Sequence, residues 1–73
     1  MPNDNELRAG RVTRLVRDRG FGFIRSDENK TEYFFHRSAA EDFDALTEGV
    51  LVEFVVVPSA KGPRAERVVV LRG

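Results

Sequence analysis

Hydrophobic and polar positions alternate most clearly in two short stretches. In Gly20-Phe21-Gly22-Phe23-Ile24-Arg25 a period of two places Phe21, Phe23 and Arg25 on one face and Gly20, Gly22 and Ile24 on the other. Taken alone, this strand fits two readings: a core strand with both rings buried, or a curved strand presenting them outward. Glu32-Tyr33-Phe34-Phe35-His36 separates the two, with Glu32, Phe34 and His36 on one face and Tyr33 and Phe35 on the other. Burying Tyr33 and Phe35 leaves Phe34 and His36 beside Phe21 and Phe23 as one aromatic platform. The opposite choice would require a buried partner for His36.

The remaining elements follow in order. Residues 1–7 are polar and read as a loose tail, ahead of a single domain over residues 8–73. Arg8 to Arg17 reads as a first strand, whose apolar members Val12, Leu15 and Val16 are irregularly spaced and predict a bulge or bend. Arg17-Asp18-Arg19-Gly20 supplies a turn into the aromatic strand, which brings Arg14 towards the outer surface of Phe21 and Phe23. Ser26 to Thr31 is a polar turn. Ser38 to Phe43 predicts a helical turn capped by Ser38, with Glu41 at the capping-box spacing. Leu46 is expected to tuck into the core, while Phe43 has two readings, covering an end of the core (the favoured one) or lying exposed at the margin of the platform. Val50 to Val57 reads as a core strand with Val52, Phe54 and Val56 inward and Glu53 and Val55 outward. After the break at Pro58 to Pro63, Arg64 to Leu71 forms the last strand, with Ala65, Val68 and Val70 inward and no second module appended. Five short strands without a long helix predict an all-β fold, a five-stranded antiparallel barrel.

Composition narrows the chemistry. The chain has 73 residues, no cysteine and one histidine, which excludes disulfides and makes a thiolate or histidine metal site an unsuitable reading. No apolar run reaches the roughly 20 residues of a membrane span, and the N-terminal residues lack a signal-peptide pattern, so a cytoplasmic protein is expected. Formal net charge is zero, but its distribution is uneven. Arg8, Arg11, Arg14, Arg17, Arg19 and Arg25 face only Asp18 in the first third, whereas Asp27 to Glu48 is mainly acidic. Glu28, Glu32 and Asp42 lack any accompanying nucleophile–base pair or phosphate loop, so they read as solvated charge and not as an enzyme's acid and base. No cofactor is called for.

Gly20-Phe21-Gly22-Phe23-Ile24, preceded by Arg19, resembles the first ribonucleoprotein motif of bacterial cold-shock domain proteins, and Phe34-Phe35-His36 resembles the second. Leu46, Glu48-Gly49 and Lys61-Gly62-Pro63 fall in the family's order, so the resemblance runs from Gly10 to Leu71. RNA-recognition motifs share the glycine–aromatic signature, but they require two amphipathic helices that this pattern lacks. The resemblance implies a five-stranded OB-type barrel that binds single-stranded RNA or DNA on its second and third strands; separately, a monomer is expected, with the pattern itself leaving the oligomeric state open. It makes Phe21, Phe23, Phe34 and His36 base-stacking positions and Arg19 and Lys61 neighbouring basic positions. This chain departs from the family where Trp-Phe becomes Arg14-Leu15 and where the aromatic after the histidine becomes Arg37. Arg14 and Arg37 can stack on bases and contact phosphate, so binding is expected to be more electrostatic and more sensitive to salt. An alternative is a protein-interaction barrel with weakened nucleic-acid affinity.

Overall fold

A computed structural model of the chain describes residues 7–71. Five strands, β1 (Leu7–Val16), β2 (Phe21–Ser26), β3 (Glu32–His36), β4 (Leu51–Val57) and β5 (Arg64–Val70), close into a barrel in the order β1-β2-β3-β5-β4. β1 begins at Leu7, one residue before the strand expected from Arg8; the rest of the expected tail, residues 1–6, lies outside the described residues.

The expected wholly antiparallel arrangement needs one correction. β1–β2, β2–β3, β1–β4 and β4–β5 are antiparallel, but β3 meets β5 in parallel, at Phe34 and Arg64. The cause is parity. A ring with an odd number of strands cannot alternate direction all the way round, so one junction must be parallel.

The ten-residue β1 serves both halves of the barrel, pairing through Leu7–Arg11 with β4 and through Gly10–Val16 with β2. Its irregular apolar spacing has a specific origin. Val12 pairs with Ile24 and Arg14 with Phe23, so Thr13 is an extra residue bulged out of the ladder. Val12 is buried, Thr13 and Arg14 are both exposed, and Leu15 packs against the core again. In an unbulged register Arg14 would have taken an inward position; the bulge turns it to the outer face beside Phe23.

A second bulge lies in β5, where Val55 pairs with Glu66 but Glu53 with Val69. Arg67 sits there in the left-handed region, at φ 54°. The bulge lets Ala65 and Val68, three residues apart, both point inward.

The core gathers Val12, Ile24, Tyr33, Phe35, Leu46, Val52, Phe54, Ala65 and Val68, with Phe43 and Val70 packed against it as expected. Val55 differs from its expected outward exposure, being only 3% exposed. It stands between its cross-strand partners Leu7 and Glu66, whose side chains flank it on the same face. Val56 packs on the core but is only half-buried. Ser26, expected in a polar turn, ends β2 fully buried, and its hydroxyl accepts from the Glu28 N–H at 3.2 Å.

The expected helical turn divides into two 3₁₀ turns, Arg37–Ala39 and Phe43–Ala45. Ser38 does not cap the first; His36 does, because β3 runs straight into the turn and places the imidazole over the Ser38 N–H. Arg17 ties the β1–β2 turn to the loop before β4, donating to the Asp44 and Leu46 carbonyls. No helix among the described residues is long and apolar enough to cross a membrane.

Candidate nucleic-acid interface

The interface is built from the outer face of β2 and β3. Their register sets Phe21 opposite His36, Phe23 opposite Phe34 and Arg25 opposite Glu32, and β1 adds Arg14 beside Phe23 and Arg11 beside Arg25. Three cross-strand rows result. The first is Arg11–Arg25–Glu32, the second Arg14–Phe23–Phe34, and the third ends in Phe21–His36.

The three phenylalanine rings form one cluster. Phe21 lies 5.6 Å from Phe34 and 6.0 Å from Phe23 between centroids, and Phe23 lies 5.9 Å from Phe34. Phe21 and Phe23 are half-buried against each other, while Phe34 is 38% exposed. Rings this close, tilted or edge-on, support one another and leave faces open to solvent.

The glycines behind them make the surface possible. A Cβ on Gly22 would come within 2.7 Å of the Arg14 carbonyl oxygen and 2.8 Å of the buried Phe35 ring. The strand therefore passes directly over Phe35, with its phenylalanines turned outward. Gly20 adopts φ +74°, closing the turn, and the stem of Arg37 lies across it. The Arg37 N–H donates to the Gly20 carbonyl at 2.8 Å, fixing the start of the 3₁₀ turn beside Phe21.

His36 is oriented by its capping role. Its Nδ1 accepts from the Ser38 N–H at 3.1 Å and lies 2.9 Å from the Ser38 hydroxyl. In the neutral ring this leaves the proton on Nε2, available as a donor. Glu32 accepts from the Thr13 hydroxyl at 2.8 Å, so the bulge residue holds the carboxylate at the edge of the platform.

The structure thus brings Arg14, Phe21, Phe23, Phe34 and His36 onto adjoining rows, and Arg37 next to them over Gly20. Lys61 stands on the β4–β5 loop, in the wall of a cavity of about 350 Å³ whose other side is Phe34. Arg19 is exposed in the turn before Phe21, and its side chain enters no hydrogen bond or ion pair among the described residues. Two groups escaped the sequence reading. Arg64 shares the Lys61 cavity and pairs with Phe34, which its place directly after Lys61-Gly62-Pro63 could have signalled. The second is Arg11, which only the register sets beside Arg25, a residue that alternation had already placed on the phenylalanine face.

A small closed barrel with an exposed aromatic face flanked by arginines defines a binding domain of the OB type. The chain belongs to the cold-shock family: the model of the 'Cold-shock' DNA-binding domain matches residues 8–71. Nucleic-acid binding in general goes with that membership. The chain is 41% identical over 64 residues to a cold shock-like protein of Aquifex aeolicus, covering 85% of this chain and 91% of that one. It is 39% identical to the cold shock-like protein CspE of Escherichia coli K12, covering 85% of this chain and 93% of the relative. Among solved structures, drosophila Unr CSD456 superposes with a TM-score of 0.78 at 28% identity, covering 93% of this chain and 28% of that chain.

Proposed function

We propose that this domain binds single-stranded RNA or DNA with low sequence specificity, by stacking bases on Phe21, Phe23, Phe34 and His36. The observation that carries this reading is the cluster of three rings, one exposed and two half-buried, with centroids 5.6–6.0 Å apart on the outer face of β2 and β3. Every base has a π-face, so such a surface favours unpaired strands over any particular sequence. Arg14, Arg19, Arg37 and Lys61 supply the phosphate contacts and, through their planar groups, the two arginines nearest the rings take over part of the stacking. A monomer in the cytoplasm that captures transiently open strands shifts RNA folding by mass action, without catalysis or a cofactor. That is the action of an RNA chaperone or of a regulator of transcription or translation.

The test is fluorescence anisotropy of labelled oligo-dT and oligo-U at two salt concentrations. Each stacked base contributes roughly 1–3 kcal/mol, so Phe21→Ala or Phe34→Ala should weaken binding about 5- to 150-fold. Phe34→Ala also removes the ring's contacts with Phe21 and Phe23, so the melting temperature should fall by several degrees, and binding is compared well below the melt, where the variant is still folded. Failure of the wild-type protein to bind either strand at low salt would overturn the reading and favour a protein-binding barrel.

A further inference from the structure

Beside the aromatic rows lies a cationic one that the stacking surface does not use. Arg11 and Arg25 are exposed and directly opposite across the β1–β2 ladder, an arrangement that disfavours the fold through like-charge repulsion. They line a cavity of about 460 Å³ together with Thr13, Lys30 and Asp27, three cations against the Asp27 carboxylate in its wall and the Glu32 carboxylate that Thr13 holds at its edge. The obvious neutraliser of Arg25 is Glu32, its partner on β3, yet no ion pair joins them among the described residues. Glu32 is held instead by the Thr13 hydroxyl at 2.8 Å. Arg11 is anchored on the rim by one hydrogen bond from Nη1 to the Gly49 carbonyl, at 3.2 Å, which leaves its other donors available.

Two opposed guanidiniums with an ammonium nearby, kept from their natural counter-ion, suit a phosphate group. Arg25 is two residues from Phe23 on the same strand face, so this cavity continues the row of rings at about 7 Å, two strand residues further on. We infer that Arg11, Arg25 and Lys30 form a phosphodiester site, which holds the backbone of a single strand where it leaves the Phe23–Phe34 row. The inference rests on the stacking reading above and extends it to the path of the strand.

The experiment measures the dependence of affinity on salt for oligo-dT and oligo-U, in wild type, Arg11→Gln, Arg25→Gln and Phe21→Ala. Arg67→Gln serves as the control for bulk charge, because Arg67 is exposed on β5 beside a different cavity, with Ser38 and Glu41. Each phosphate contact contributes about 0.7 to the slope of log K against log salt for single strands. Arg11→Gln and Arg25→Gln should each lower the slope by about 0.7, and affinity about five-fold at 0.1 M salt relative to 1 M. Arg67→Gln should keep the wild-type slope. A wild-type slope in Arg25→Gln, or an equal loss in Arg67→Gln, would overturn the site. If these occur while Phe21→Ala still collapses binding, the stacking surface stands and only the phosphate site falls; a wild-type protein that does not bind removes both. Titrating inorganic phosphate into the strand-free protein, followed by the amide shifts around Arg25, separates the two sources of the anion. A strand phosphodiester site lowers the oligonucleotide salt slope in Arg25→Gln, whereas saturable binding of free phosphate together with equal oligonucleotide slopes in wild type and Arg25→Gln would mean a pocket for free phosphate and overturn the assignment to the strand. A circular-dichroism melt of each variant shows that the barrel is intact.

Discussion

Gly22→Ala is the sharpest test of how the platform is built. The added methyl would lie 2.7 Å from the Arg14 carbonyl oxygen and 2.8 and 2.9 Å from two atoms of the Phe35 ring. Neither neighbour can withdraw cheaply. The carbonyl belongs to β1 at the point where it pairs with β2, and Phe35 is 0% exposed at the centre of the core. Overpacking of this kind costs about 1–3 kcal/mol. Alanine returns about 0.4–1 kcal/mol by restricting the unfolded chain, since Gly22 does not occupy the left-handed region. The net loss of about 1–2 kcal/mol should lower the melting temperature by roughly 4–16 °C for a domain of this size. Far-ultraviolet circular dichroism is the suitable readout, because the chain contains no tryptophan. Phe35→Leu shortens the obstructing ring, so Gly22→Ala should cost less in that background than in wild type. A melting temperature at or above wild type, or two substitutions whose effects simply add, would refute the packing argument.

Two further substitutions probe the frame that holds the site. Arg17→Ala removes the donors to the Asp44 and Leu46 carbonyls and should lower the urea midpoint by the equivalent of about 1–2 kcal/mol with an unchanged m-value; Arg17→Lys should not restore it, because one ammonium lacks the guanidinium fork. Leu46→Ala empties a position only 1% exposed, should cost about 2–5 kcal/mol, and should leave the barrel largely unfolded near 37 °C by the same circular-dichroism melt.

Much of the platform was legible in the sequence because a period of two has only two solutions once one face is buried. Tyr33 and Phe35 went inward, Phe34 and His36 outward, and Gly20, Gly22 and Ile24 are all buried. The bulge in β1 was also readable, since Val12 and Leu15 are three apart and both needed the core. What lay beyond reach depends on long-range pairing. The parallel contact of β3 with β5 follows only from closing an odd ring, and the burial of Val55 follows from which residues flank it across two ladders. The capping of the first 3₁₀ turn went to His36 because strand direction, invisible in a local motif, aimed its ring at the Ser38 N–H. The Arg11–Arg25 opposition is likewise a product of register, fourteen positions apart in the chain.

The most direct measurement is a titration followed by nuclear magnetic resonance, in which unlabelled oligo-dT and oligo-U are added to isotopically labelled protein and the ring protons of every phenylalanine are tracked. Stacking places the rings under the shielding faces of bases, so Phe21, Phe23 and Phe34 should shift upfield together and saturably, while the buried Phe35 and Phe54 stay near their starting positions. Saturable backbone amide shifts, followed in the same titration, that are confined to β4, β5 and the acidic turns around Asp42, with the three clustered rings unmoved, would contradict the account and place the binding surface elsewhere on the barrel.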